Sequence, residues 1–216
     1  DHGLGGWDTS NVAGMGHMFL GCTGFNEPIG GWDTSSVTSM SYMFYVYRKR
    51  YLFNQDIGNW DVGNVTSMRH MFSSNNGTFR DFNNGGSPSI SGWDTSSCTN
   101  MESMFVGNKN FNQPIGSWDT SGVTTMNSML HSCTGFNQPI GDWDITSCTT
   151  LNYLLHGATT FNNGGSTNIS GWDTSNVAGM ANTFLGCTGF NQPIGNWDTS
   201  GVTTMGGMFS NCHSFN

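Results

Sequence analysis

Charge is scarce in this chain: Asp, Glu, Lys and Arg make up 9% of 216 residues, and only six of them are basic. Binding nucleic acid takes a basic face along the contact, which six Lys and Arg cannot supply over this length, so that role is disfavoured. No apolar run approaches the roughly 20 residues of a membrane span, and no charged-then-apolar segment opens the chain as a secretory signal would. The first residue is Asp1 rather than Met, from which a processed product or a fragment is expected. Disorder is disfavoured as well, because low charge combined with 15 Phe, 8 Trp and 13 Met is the reverse of a disordered composition.

What the chain has is repetition. Every tryptophan is followed by aspartate, at Trp7, Trp32, Trp60, Trp93, Trp118, Trp143, Trp172 and Trp197. Successive spacings of 25, 28, 33, 25, 25, 29 and 25 residues give a 25-residue unit with insertions in repeats 2, 3 and 6. A period of this size marks a stacked array, in which no unit can bury its apolar face alone. Residues 1–216 therefore read as a single repeat domain of eight tandem units.

Within a unit, Trp32-Asp33-Thr34-Ser35 alternates large and polar residues, which predicts a short strand with Trp and Thr inward. Apolar residues follow at Val37, Met40, Met43 and Phe44, a helical spacing on weak helix formers, so one or two turns of α or 3-10 helix are expected, N-capped by Ser35 or Ser36. Phe25-Asn26 closes the outer side, and its Asn column could form a ladder along the stack. The expected fold class is an α/β repeat solenoid, right-handed, with one short parallel strand and one short α/3-10 helix per repeat.

The order Trp-Asp-Thr-Ser-x-Val-Thr-x-Met-x-x-Met-Phe, followed by Phe-Asn-Gln, resembles the BspA-type leucine-rich-repeat surface proteins and covers all eight units. The resemblance implies a leucine-rich-repeat-like stack on a secreted or wall-attached microbial surface protein, with adhesion or scaffolding as its role and no catalytic residues. The insertions in repeats 2, 3 and 6 depart from the regular unit.

Cys22, Cys133, Cys187 and Cys212 stand fifteen after Trp, where Ala158 stands in repeat 6, so they read as buried thiols, with Cys187 and Cys212 as the one pair to test for a disulfide. The column of eight Asp needs compensation, either from the amides and hydroxyls that follow each Asp or, less favoured, from Ca²⁺. His131 and His156 share an offset and are expected to stack on the outer face. No catalytic constellation or cofactor fingerprint stands apart from the repeat, so an enzyme is not expected.

The insertion containing Tyr45, Tyr47, Arg48, Lys49, Arg50 and Tyr51 has two readings, a contact patch for an acidic partner, a glycan or a host-surface protein, and a solvated loop. Asn64, Asn76 and Asn168 head glycosylation sequons. The first unit starts in ordinary register and the last reaches Phe215-Asn216, where another unit would begin. Leu4, Trp7, Phe209 and Phe215 thus lie on apolar end surfaces, from which head-to-tail self-association or a longer array is expected, outside or on the surface of the cell.

Overall fold

The computed structural model describes residues 3–47, 52–73 and 82–216. Among these the expected strand and helix do not form: there is no α-helix and no β-strand. Regular structure consists of five short 3-10 helices, Leu4–Gly6, Asn84–Gly86, Pro88–Gly92, Asn163–Gly165 and Asn168–Gly171, and one row of isolated parallel bridges. The row joins Gly14, Ser39, Ser67, Asn100, Thr125, Thr150, Gly179 and Thr204, the seventh residue after each Trp. The α/β strand-and-helix solenoid is thereby corrected to an in-register stack of turns.

The physical reason lies in where the backbone amides go. In an α-helix each N–H returns to the carbonyl four residues earlier. Here alternate amides leave the unit: Met40, Tyr42 and Phe44 donate to Ser67, Arg69 and Met71 of the next unit at 3.0, 2.8 and 3.0 Å. The amides between them close tight turns, Met43 N–H onto Met40 O and Tyr45 N–H onto Tyr42 O, both at 3.1 Å. Each Met-x-x-Met turn carries a positive φ at its third residue, as a type II turn does. That residue, ten after Trp, is His17, Tyr42, His70, Ser103, Ser128, Tyr153, Asn182 or Gly207, with φ of 53–67°. Such a φ ends a right-handed helix, so the three-residue apolar spacing comes from consecutive turns that each bring the chain back to the core side.

Trp-Asp-Thr alternates in burial as a strand would, with Trp and Thr inside and Asp outside, yet side chains rather than a backbone ladder join it to its neighbours. Trp32 Nε1 donates to Leu4 O at 2.8 Å, and the same bond to the preceding unit is made by Trp60, Trp118, Trp143, Trp172 and Trp197. Thr34 Oγ1 donates forward to Asp61 O at 2.8 Å, as Thr9, Thr95, Thr120 and Thr174 do to their next Asp. One rung is missing: Trp93 Nε1 is buried without a partner, at the boundary with unit 3, which carries two insertions.

Rings stack along the same axis. Trp32 and Trp60 lie 6.4 Å apart and 3° from parallel, and Phe19, Phe44, Phe72 and Phe105 follow one another at 5.4, 5.5 and 5.7 Å. Each fully buried Phe contributes about 1.5–3 kcal/mol by transfer from water. The single polar residue in the inner Met columns, Thr183, is buried with its hydroxyl bonded to Met180 O and Leu151 O at 2.8 and 3.1 Å.

Candidate functional site

The exposed aspartate column is compensated from within. In all eight units one carboxylate oxygen accepts the amide of the residue two further on, from Ser10 to Asp8 at 3.1 Å through Ser200 to Asp198 at 2.9 Å. Side-chain and backbone bonds from that residue hold Asp8, Asp33, Asp94, Asp119 and Asp173 below the ordinary carboxylate range, and the backbone bond leads at Asp198. Neighbouring carboxylates partly oppose this, as Asp8 does for Asp33. Among the described residues no three His, Cys, Asp or Glu gather as metal ligands.

At the turn that follows the Phe of each unit, an asparagine ladder runs through the molecule. Oδ1 of Asn26, Asn54, Asn83, Asn112, Asn137, Asn162 and Asn191 each accepts the backbone amide of the corresponding Asn in the next unit, at 2.7–3.4 Å. A column fifteen after Trp makes a second ladder: Cys133, Cys187 and Cys212 donate their thiols to Phe105, Leu155 and Phe184 carbonyls at 3.2, 3.0 and 2.9 Å. Asn108 makes the same bond to Phe72 O through its amide, at 2.9 Å. All six cysteines are free thiols; Cys22 is exposed, and burial pushes Cys98 up to about 11 and raises Cys133 and Cys187 further.

His131 and His156 stack at 4.4 Å. Burial and the neighbouring His156 hold His131 down at about 4, and burial lowers His156, whose Nδ1 is buried without a partner. Of the Tyr/Arg insertion, Arg48, Lys49, Arg50 and Tyr51 lie outside the described residues. Tyr45 is half-buried, edge-on to Tyr42 at 5.5 Å, and Tyr47 is 53% exposed.

Of the sequons, Asn76 lies outside the described residues, while Asn64 is exposed with Nδ2 bonded to Ser35 O at 2.8 Å. Asn168 Nδ2, the atom a glycan would take, is bonded to Asp142 Oδ1 at 2.7 Å.

The two ends differ from the middle. Trp7 is 53% exposed where the seven other Trp are 3–8%, Met18, Leu20 and Met205 are exposed, and Leu4, Phe209 and Phe215 are partly buried. Among the described residues, the amides of Met205, Gly207, Phe209 and Asn211 have no backbone acceptor, and the carbonyls of Gly14, Gly16, Met18 and Leu20 have no backbone donor. These are the donor and acceptor positions that meet at the interior boundaries.

The extra four residues after Phe82 and Phe161 are visible in the sequence, but what they build is not. Each forms a ridge of two 3-10 turns latched onto the unit before it. Buried Asn84 and Asn163 accept the amides of Ile57 and Ile140 at 2.9 and 2.7 Å. Asn54 and Asn137 each take a second amide, from Gly85 and Gly164, at 3.1 Å. The shared Phe-Asn-Asn-Gly-Gly-Ser was the signal: both second Asn and the following Gly adopt positive φ.

These features define a class, a tandem-repeat array whose units join through in-register hydrogen-bond ladders, with a ridge every third unit. The chain belongs to the DUF285 family, described as a Mycoplasma protein of unknown function, whose profile matches residues 1–84, 74–167 and 166–216. The three matches hold three, three and two of the Trp-Asp units, so the first two each span one three-unit period and the last spans part of one. No curated protein and no solved structure matches the chain.

Proposed function

We propose that this chain is a non-enzymatic structural repeat protein of the cell surface or extracellular space, whose ends are extended by further repeats stacked head to tail. The observation that carries this reading is the complementarity of the ends. Unused amides at Met205, Gly207, Phe209 and Asn211 match unused carbonyls at Gly14, Gly16, Met18 and Leu20 in the pattern that joins every interior pair. Trp7 supplies an exposed indole, and Asn216 stands where the asparagine ladder would take its next rung. A contact of this kind is heterologous and does not close on itself, so it builds arrays rather than rings or dimers. The surface placement rests on the resemblance of the Trp-Asp units to BspA-type surface proteins and is tested by protease shaving of intact source cells.

Electron microscopy and sedimentation of the purified 216-residue chain test the assembly. Concentration-dependent end-to-end particles that shorten with Trp7→Asp support the proposal. Discrete monomers at every concentration, or assembly indifferent to Trp7→Asp, would falsify it.

A further inference from the structure

A valley borders the first ridge, which supplies Ser91 to its lining. Units 4 and 5 pass from Phe111 to Trp118 and from Phe136 to Trp143 in seven residues, whereas the ridged segments on either side take eleven, from Phe82 to Trp93 and from Phe161 to Trp172. A cavity of about 520 Å³ opens on the shorter segments, which supply Pro114, Gly116, Ser117, Gln138, Pro139 and Asp142 to its lining. Its lining is close-packed at Gly116, where a side chain would collide with the Pro139 carbonyl.

The lining combines exposed Pro114 and Pro139 with Ser91, Ser117, Gln138 and Asp142. Two of the polar groups are held in place, Ser117 Oγ by donating to Ser91 O at 2.9 Å and Gln138 Nε2 by donating to Asn112 O at 3.1 Å. Asp142 Oδ1 is fixed by Asn168. This leaves the Ser91 hydroxyl, Gln138 Oε1 and Asp142 Oδ2 unengaged among the described residues.

We propose that this valley binds a neutral glycan. Its hydroxyls both donate and accept, as the lining requires, and its C–H faces suit the proline rings. No Lys, Arg or His lines the cavity and Asp142 carries a negative charge, so phosphate, sulfate or uronate ligands find no counter-charge. The equivalent place one period earlier is different: Asp56 stands where Pro139 does, and its Oδ1 already accepts from Ser89, Gly58 and Asn84 at 2.7, 2.9 and 3.2 Å.

The test is NMR titration of the whole chain with cellotetraose, with fully N-acetylated chitotetraose and, as the charged comparison, with a heparin tetrasaccharide. The expected result is saturable shifts of the Gln138 side-chain amide and the Trp118 indole with a neutral probe and none with heparin. Gln138→Ala and Asp142→Ala each weaken binding by about tenfold, while Asp144→Asn on the aspartate column leaves it unchanged. Unchanged thermal midpoints of the two alanine variants separate lost contacts from lost fold. The proposal is overturned if neither neutral probe shifts the valley resonances, if heparin shifts them equally, or if folded Gln138→Ala and Asp142→Ala bind as the parent does.

Discussion

Two tryptophans that look alike in sequence have different partners. Trp118 Nε1 donates to Ile90 O at 2.9 Å, whereas Trp93 Nε1 is buried with nothing to bond. Replacing Trp118 by Phe removes this inter-unit bond and leaves the Ile90 carbonyl with the Trp93 amide alone, at 3.2 Å, while the same change at Trp93 removes a polar atom that already costs stability. Urea unfolding is expected to show Trp118→Phe as the more destabilising by about 1–2 kcal/mol. The His131 and His156 pair gives a second residue-scale outcome. Folded-state values below the ordinary imidazole range mean that the unfolded chain protonates first. The pair's contribution is complete above the unfolded value and is lost as pH falls from there toward about 4, the value at His131. The thermal midpoint should therefore drop between pH 7 and 4.5, and His131→Gln should flatten that slope. The lowered aspartates add their own loss only at more acid pH, since their contribution holds above the unfolded carboxylate value.

At the scale of the element, the turn ten residues after each Trp decides the fold, and it can be tested where no ring obscures it. Ser128 has φ 56° and donates its amide to Asn152 O at 2.9 Å. Ser128→Gly is expected to be near neutral, because lost strain offsets added chain entropy, whereas Ser128→Val should cost more than about 1 kcal/mol. This position also explains what was and was not legible. Unit boundaries, the inward Trp, Thr and Met, the outward Asp and the Asn column were all readable, since they depend on side-chain character recurring at one offset. The turn was not, because a three-residue return serves a helix and a run of turns alike. Its positive φ falls on His, Tyr, Ser and Asn in seven units and on glycine only at Gly207. Nor does one unit's pattern reveal that Met40, Tyr42 and Phe44 give their amides to a neighbour. For the candidate sites, the ridge lengths are visible in the Phe-to-Trp spacing, but the Asn84 and Asn163 latches join residues 27 and 23 positions apart, a pairing that no local pattern announces.

For the whole molecule, stability in a stack is a sum over neighbours, so the same side chain weighs differently by position. Trp143 is 3% exposed between two units, and Trp143→Ala should cost about 3–5 kcal/mol in chemical unfolding. Trp7 is 53% exposed, and Trp7→Ala should cost only a small fraction of that in dilute monomer. Equal losses at both sites would contradict the nearest-neighbour account. The amide ladder has a further consequence for how the chain bears load. Its bonds from Met40, Tyr42 and Phe44 run from one unit to the next, so a pull applied at the two ends loads the boundaries in series. Every boundary then carries the full tension, and the weakest rung, where Trp93 lacks its partner, yields first and sets the force at which the array begins to lengthen.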